Sequence, residues 1–183
     1  MTILLTGCGN SKAFKEQDFR DYQNLQDLVN SKMFTIDSHT ARPMATNALT
    51  QVANTNILGP GNTSSNINLI GNQNVLEVKK DSVRAFLPYY GEQNFGGGTY
   101  LGTRSGIEFN DIPENYQVTF DNKKQRAIIE FDIEDTYRDG ERYNIYITLF
   151  KNNSSTISVQ SSYRTTISFN GSVQRIEEDK ESN

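Results

Sequence analysis

The densest group of side chains able to do chemistry in this sequence is acidic and consists of Glu130, Asp132, Glu134 and Asp135. Two carboxylates at a suitable separation act as acid and base in glycoside cleavage. Every second residue in this stretch is apolar, however, namely Ile129, Phe131 and Ile133. Such alternation is typical of a strand with one buried and one solvated face. We therefore expect these acids to form a solvated strand face.

Metal ligands are scarce, because the chain has one cysteine and one histidine. An internal disulfide framework and a Cys-rich metal site are therefore excluded. Asp135, Asp139 and Glu141 are close enough in sequence to bind calcium at a loop, but their spacing does not match an EF-hand. His39 has no second histidine for a ligand or catalytic pair. We expect no metal, no cofactor and no catalytic residue, hence a protein that is not an enzyme.

Aromatic residues surround a glycine-rich stretch, Gly96-Gly97-Gly98-Thr99. A phosphate-binding loop would need a lysine and a following helix, and the sequence predicts neither here. The aromatic residues that flank this stretch are Tyr89, Tyr90, Phe95 and Tyr100. Aromatic side chains in such a position either line the mouth of a ligand site or plug the end of a barrel, and both alternatives stay open.

The lone cysteine ends the segment Leu5-Thr6-Gly7-Cys8, which resembles a bacterial lipobox. The small Thr6 and Gly7 let a lipoprotein signal peptidase approach the backbone, and Cys8 then offers a thiol and a new amine for acyl chains. Two or more acyl chains anchor a protein stably to a membrane. A signal needs a longer apolar stretch, so we expect Met1 to be an internal methionine of it. The alternative is a free cytosolic cysteine.

Length and charge exclude several classes of protein. The 183 residues suit one domain, which at this size buries roughly 70% of its unfolded surface. Lys and Arg number 18 against 22 Asp and Glu, giving a net charge of -4, so we expect no nucleic-acid partner. No apolar run approaches the ~20 residues of a membrane-spanning helix.

The elements that would position these residues are one helix and many short strands. Residues 14–30 predict a helix whose apolar half contains Phe14, Phe19, Tyr22, Leu25, Leu28 and Val29. Residues 44–66 predict a loop or a poorly defined strand pair. The predicted strands cover 33–39, 67–70, 75–79, 82–87, 106–109, 117–120, 127–133, 143–150, 155–160 and 165–169. Asn170-Gly171 predicts a turn that closes the last strand, so we expect an antiparallel barrel or sandwich.

Several segments together resemble the bacterial family catalogued as domain of unknown function 4251. The matching segments are Met33-Phe34, Ala41-Arg42-Pro43-Met44, Asp81–Gly91, Ser105–Phe109 and Ser162–Gly171. The resemblance implies a lipocalin-like antiparallel barrel in lipid-anchored or secreted proteins of Gram-negative bacteria. It implies no activity, so no catalytic residue is transferred.

These observations predict an all-β protein in which a single lipocalin-like barrel or curved sandwich follows an amphipathic helix. The divisions are a signal remnant (1–8), a tether and helix (9–32), a β domain (33–173) and a disordered charged tail (174–183). We expect a lipoprotein anchored through Cys8 in the cell envelope, at the outer membrane, that binds a small ligand or an envelope protein. The alternatives are an envelope enzyme acting on glycans and a structural lipoprotein.

Arg164 starts the predicted closing strand, on the face opposite to Thr165, Ile167 and Phe169. One alternative is structural, with Arg164 donating to backbone carbonyl groups nearby. The other is a ligand role, in which its guanidinium group binds a carboxylate. The candidate site residues are therefore Tyr89, Tyr90, Phe95, Tyr100 and Arg164.

Overall fold

The protein is described by a computed structural model over residues 10–55, 58–71, 73–93 and 106–177. Two helices and ten strands lie within these ranges. They are α1 (Asn10–Asn30), β1 (Met33–Pro43), α2 (Asn47–Asn54), β2 (Ile67–Asn68), β3 (Val75–Lys79), β4 (Ser82–Leu87), β5 (Ile107–Asp111), β6 (Glu114–Asp121), β7 (Arg126–Glu134), β8 (Arg142–Phe150), β9 (Ser154–Ser161) and β10 (Ile167–Arg175).

The strands form one antiparallel sheet that curls into a half-barrel. The order is β5-β4-β3-β1-β10-β9-β8-β7-β6, and β2 pairs with β1 outside this path. The predicted all-β class with an N-terminal helix is therefore confirmed. In the described part of the chain, β5 and β6 form the two edges and do not pair with each other. Because residues 112 and 113 join these edges directly, the open seam of the sheet begins at that connection.

The core follows the two-residue period of the strands. The predicted core positions on β7 and β8 are all buried, namely Ile129, Phe131, Ile133, Ile145, Ile147 and Leu149. Glu130 and Glu134, on the opposite face of β7, are exposed. The interior of the curled sheet is thus filled by side chains, which a sheet of this curvature allows.

Helix α1 contributes an apolar stripe to this core. Tyr22, Leu25, Leu28 and Val29 are buried in it, which confirms most of the predicted face. Phe19 is 58% exposed, so its placement on that face was wrong. The Tyr22 hydroxyl donates to Asn122 Oδ1 at 2.8 Å, in the turn between β6 and β7. No helix in the described ranges is both long and apolar enough to cross a membrane.

Two local predictions were wrong. Residues 44–66 contain α2 rather than only a loop or strand pair. Strand β10 continues through Asn170-Gly171 to Arg175, so this pair does not close the strand. Gly171 lies beside the irregular register of β1 between Ser38 and Thr40. A Cβ atom at Gly171 would overlap the carbonyl oxygen of Asp37, so glycine is required here by close backbone approach rather than by a turn.

Candidate functional site

A buried ion-pair network surrounds Arg164, which is 3% exposed. The Arg164 Nε atom lies 2.7 Å from Glu141 Oε1, and its Nη2 atom lies 2.8 Å from Glu141 Oε2. Arg164 also donates to the Gly106 carbonyl oxygen at 3.1 Å and to the Tyr143 hydroxyl at 3.0 Å. A paired geometry of this kind compensates the cost of burying an arginine and a carboxylate.

Two further charged side chains complete this network. Arg138 Nη1 lies 3.3 Å from Glu141 Oε2 and also donates to the Gly106 carbonyl oxygen at 3.2 Å. Asp135 accepts a 2.6 Å hydrogen bond from the Tyr143 hydroxyl and lies 3.9 Å from Arg164 Nη2. Burial and the neighbouring carboxylate of Asp135 raise the pKa of Tyr143 well above its usual value, so Tyr143 stays a donor. Two arginines thus balance two carboxylates.

The network contacts the chain on both sides of residues 94–105. The Arg164 guanidinium lies 4.7 Å from the ring centroid of Tyr89, and Gly106 accepts from Arg164 directly. The Tyr89 hydroxyl lies 2.8 Å from Thr165 Oγ1. Tyr89 and Arg164 are thus brought together, whereas Tyr90 packs separately against the core, half-buried. The other sequence candidates, Cys8, Phe95 and Tyr100, lie outside the described residues.

Two sequence expectations fail in this network. Arg164 is not on a face opposite to the core, because β10 begins only at Ile167 and the strand alternation does not extend back to position 164. The Asp135 side chain is 2% exposed rather than solvated, because it lies beyond the end of β7. The calcium alternative is not supported, since Asp135 and Glu141 contact arginines. Within the described ranges, no three Asp, Glu, His or Cys side chains are grouped to hold a metal.

A second feature is a cavity of ≈ 190 Å³ near the connection between β5 and β6. Its walls come from the α1–β1 junction, from β3, β4 and the turn between them, and from the β5–β6 connection and β6. The lining residues are Lys32, Val78, Lys80, Asp81, Val83, Ile112, Pro113 and Tyr116. Apolar side chains and a few polar groups therefore meet where the sheet is open, as they do in small-molecule sites.

Tyr116 is the most distinctive residue of this cavity. Its ring stacks on Phe131, with the ring centroids 5.8 Å apart and the planes at 19°. Its hydroxyl oxygen is buried and has no hydrogen-bond partner among the described residues. Burial raises the pKa of Tyr116 to about 12, so the hydroxyl is a neutral donor at physiological pH. Buried polar atoms are rarely left unpaired, and such an atom calls for an explanation.

Two lysines lie at the cavity because two tight turns meet there. Lys32 follows α1 with a φ of 50°, and Lys80 follows β3 with a φ of 57°. The Lys80 amide donates to the Lys32 carbonyl oxygen at 2.8 Å, which joins the turns. Lys32 Nζ lies 5.3 Å from the Tyr116 ring centroid and 3.5 Å from Asp81 Oδ1. Two ammonium groups and one carboxylate thus give this cavity a net positive charge.

Sequence reasoning missed both Tyr116 and Lys32. Two-residue alternation along β6 does place Tyr116, Val118 and Phe120 on one face, and all three pack against the core. That pattern predicts burial but does not single out a hydroxyl without a partner. Lys32 carries no sequence signal, because its position depends on contacts between turns that are far apart in the chain.

Comparisons with known proteins agree with this fold. The profile described as "Domain of unknown function (DUF4251)" matches residues 16–173. Among the solved structures, a DUF4251 family protein from Bacteroides eggerthii DSM 20697 is similar, with a TM-score of 0.54 and 13% identity. The alignment covers 88% of this chain and 91% of that chain. The search of curated proteins found no match. Because the profile spans most of its length, this chain belongs to the DUF4251 family.

Proposed function

We propose that this protein is a lipid-anchored module of the cell envelope that binds a small ligand in the Tyr116 cavity. The observation that carries the proposal is the buried hydroxyl of Tyr116, which lacks a partner among the described residues, in a residue that lines a largely apolar cavity. A ligand with an acceptor atom would satisfy this hydroxyl, and its apolar part would contact Val78, Val83 and Ile112. Because side chains fill the interior of the half-barrel, we place the ligand in the Tyr116 cavity at the open seam rather than at the barrel centre.

The cavity volume limits what can enter. A cavity of about 150 Å³ lined by apolar side chains is known to hold benzene, and this cavity measures ≈ 190 Å³. Ligand pockets for larger molecules usually start at about 300 Å³. The proposed ligand therefore inserts one compact group, such as a single ring or a short branched chain.

Enzymatic glycan cleavage is supported less well. It needs one carboxylate that gives up a proton and another that attacks or activates water. The two buried carboxylates of the network, Asp135 and Glu141, instead contact Arg164, and Arg138 also contacts Glu141. The side chains of Asp135 and Glu141 are 2% and 1% exposed and already paired, so neither carboxylate faces a cleft that a glycan could enter. We therefore propose binding rather than catalysis.

Blocking the cavity should abolish ligand retention. Ile112 is 69% exposed and lines the cavity, so Ile112→Trp is expected to fold normally while its larger side chain obstructs the opening. Native mass spectrometry of the untagged protein should show a co-purified small molecule in the wild type that is absent from Ile112→Trp. The control is Ile70→Trp, since Ile70 is 76% exposed and is not a lining residue. Equal retention by both variants would contradict the proposed site.

The lipid anchor is tested separately from the ligand. The motif Leu5-Thr6-Gly7-Cys8 supports lipidation of Cys8 and an envelope location, with the membrane as a partner. Expression behind a complete lipoprotein signal peptide, in the presence of a labelled fatty acid, should label the wild type. The Cys8→Ser variant should carry essentially no label, because the acyl chains need the cysteine thiol. Labelling of both proteins to the same extent would disprove the anchor.

A further inference from the structure

We propose that the ligand of the Tyr116 cavity is a small carboxylic acid in its anionic form, a compact apolar group that carries one carboxylate. This inference rests on the proposed function and adds the chemical class of the ligand. Its basis is that Tyr116 and Lys32 line the same cavity, with Lys32 Nζ 5.3 Å from the Tyr116 ring centroid. A carboxylate has two oxygens that accept hydrogen bonds, so one can take the Lys32 ammonium group while the other remains for the Tyr116 hydroxyl.

The charges around the cavity favour an anion. Lys32 and Lys80 outnumber the one acidic lining residue, Asp81. The Lys32 side chain keeps 44% of its surface exposed, which leaves room for a second partner. A hydrogen bond between an ammonium group and a carboxylate is roughly twice as strong as one between neutral groups. A neutral ligand of the same shape would bind more weakly, because it cannot form this charge-assisted hydrogen bond with Lys32.

Asp81 shows that a carboxylate fits beside Lys32. Its Oδ1 atom lies 3.5 Å from Lys32 Nζ, yet the Asp81 side chain is 84% exposed. An ion pair this exposed contributes little stability, so the Asp81 side chain can rotate away from Lys32 toward solvent at little cost. The carboxylate of the ligand would then take its place at Lys32, while the apolar part lies between Val83 and Ile112. Asp81 therefore acts as an internal competitor.

The test compares two probes of equal shape and different charge, benzoate and benzamide. Their dissociation constants are measured by ligand-observed NMR with the full chain. Benzoate should bind the wild type more tightly by up to about fivefold, the most that one partly exposed ion pair supplies. Lys32→Met should remove this preference, and Asp81→Asn should increase it because the competitor is gone. Lys151→Met, which breaks a pair with Asp18 elsewhere (2.6 Å), should leave the preference unchanged.

The outcomes separate the inference from the proposed function. If benzamide binds as tightly as benzoate, and Ile112→Trp abolishes both, the cavity is a ligand site but the carboxylate inference is wrong. If the preference for benzoate survives in Lys32→Met, the charge recognition lies elsewhere and the inference is wrong. If neither probe binds the wild type, the carboxylate inference is wrong. The proposed function is then tested separately, by native mass spectrometry of the co-purified ligand.

Discussion

Replacing Arg164 with alanine is expected to lower the free energy of unfolding by about 3–5 kcal/mol, the usual cost of removing one partner from a buried ion pair. The change leaves Glu141 with Arg138 alone and removes the charged partner of Asp135. It also removes donors to the Gly106 carbonyl oxygen and the Tyr143 hydroxyl. Chemical denaturation of the purified protein measures the loss.

The control for this prediction is an exposed arginine at the start of β8. Arg142 pairs with Glu114 at 2.6 Å and with Glu134 at 3.4 Å, and its side chain is 47% exposed. Arg142→Ala should therefore cost far less than Arg164→Ala, because exposed ion pairs contribute little to stability. If Arg164→Ala costs no more than Arg142→Ala, the network does not stabilise the fold. The ligand role, which the sequence left open for Arg164, would then be the better explanation.

Truncating Phe131 to alanine is expected to be equally damaging, by about 3–5 kcal/mol. Phe131 is fully buried. Its ring contacts Phe109 edge-on and stacks on Tyr116, with ring centroids 6.3 Å and 5.8 Å apart, respectively. Its loss would leave a cavity in the core and release the ring of Tyr116. Thermal unfolding monitored by circular dichroism reports the change.

The matched control for Phe131 is another phenylalanine in the sheet. Phe86 on β4 is 51% exposed, so Phe86→Ala removes the same atoms without opening a cavity. It should change the free energy of unfolding by less than about 1 kcal/mol, as surface substitutions usually do. Similar losses in the two variants would mean that the buried and exposed faces are wrongly assigned.

Most strands could be predicted because their information is local. A strand with one buried face alternates apolar and polar residues, and β3 and β4 match the predicted limits at both ends. The Asn170-Gly171 prediction failed because the same dipeptide suits a turn or a strand that passes close to another backbone. Only the pairing of β10 with the irregular β1 distinguishes the two, and that pairing joins distant parts of the chain.

The two clusters of polar residues could not be predicted for a related reason. Arg164 was recognised as important, but its partners Glu141 and Gly106 lie 23 and 58 positions away. Tyr116 meets Lys32 only because the turn after α1 lies against the β3–β4 turn next to the sheet edge. Strand periodicity predicts which face a residue occupies, but not which residue of another element it meets there.

The claim that the Tyr116 cavity is the ligand site is tested most directly by mapping where a ligand binds. The full chain is labelled with ¹⁵N and titrated with benzoate, and the amide resonances are followed by two-dimensional NMR. We expect saturable shifts that are largest at Val78, Val83 and Tyr116 and are lost in the Ile112→Trp variant. Saturable shifts concentrated at Tyr89 and Tyr90, with none at Tyr116, would contradict it.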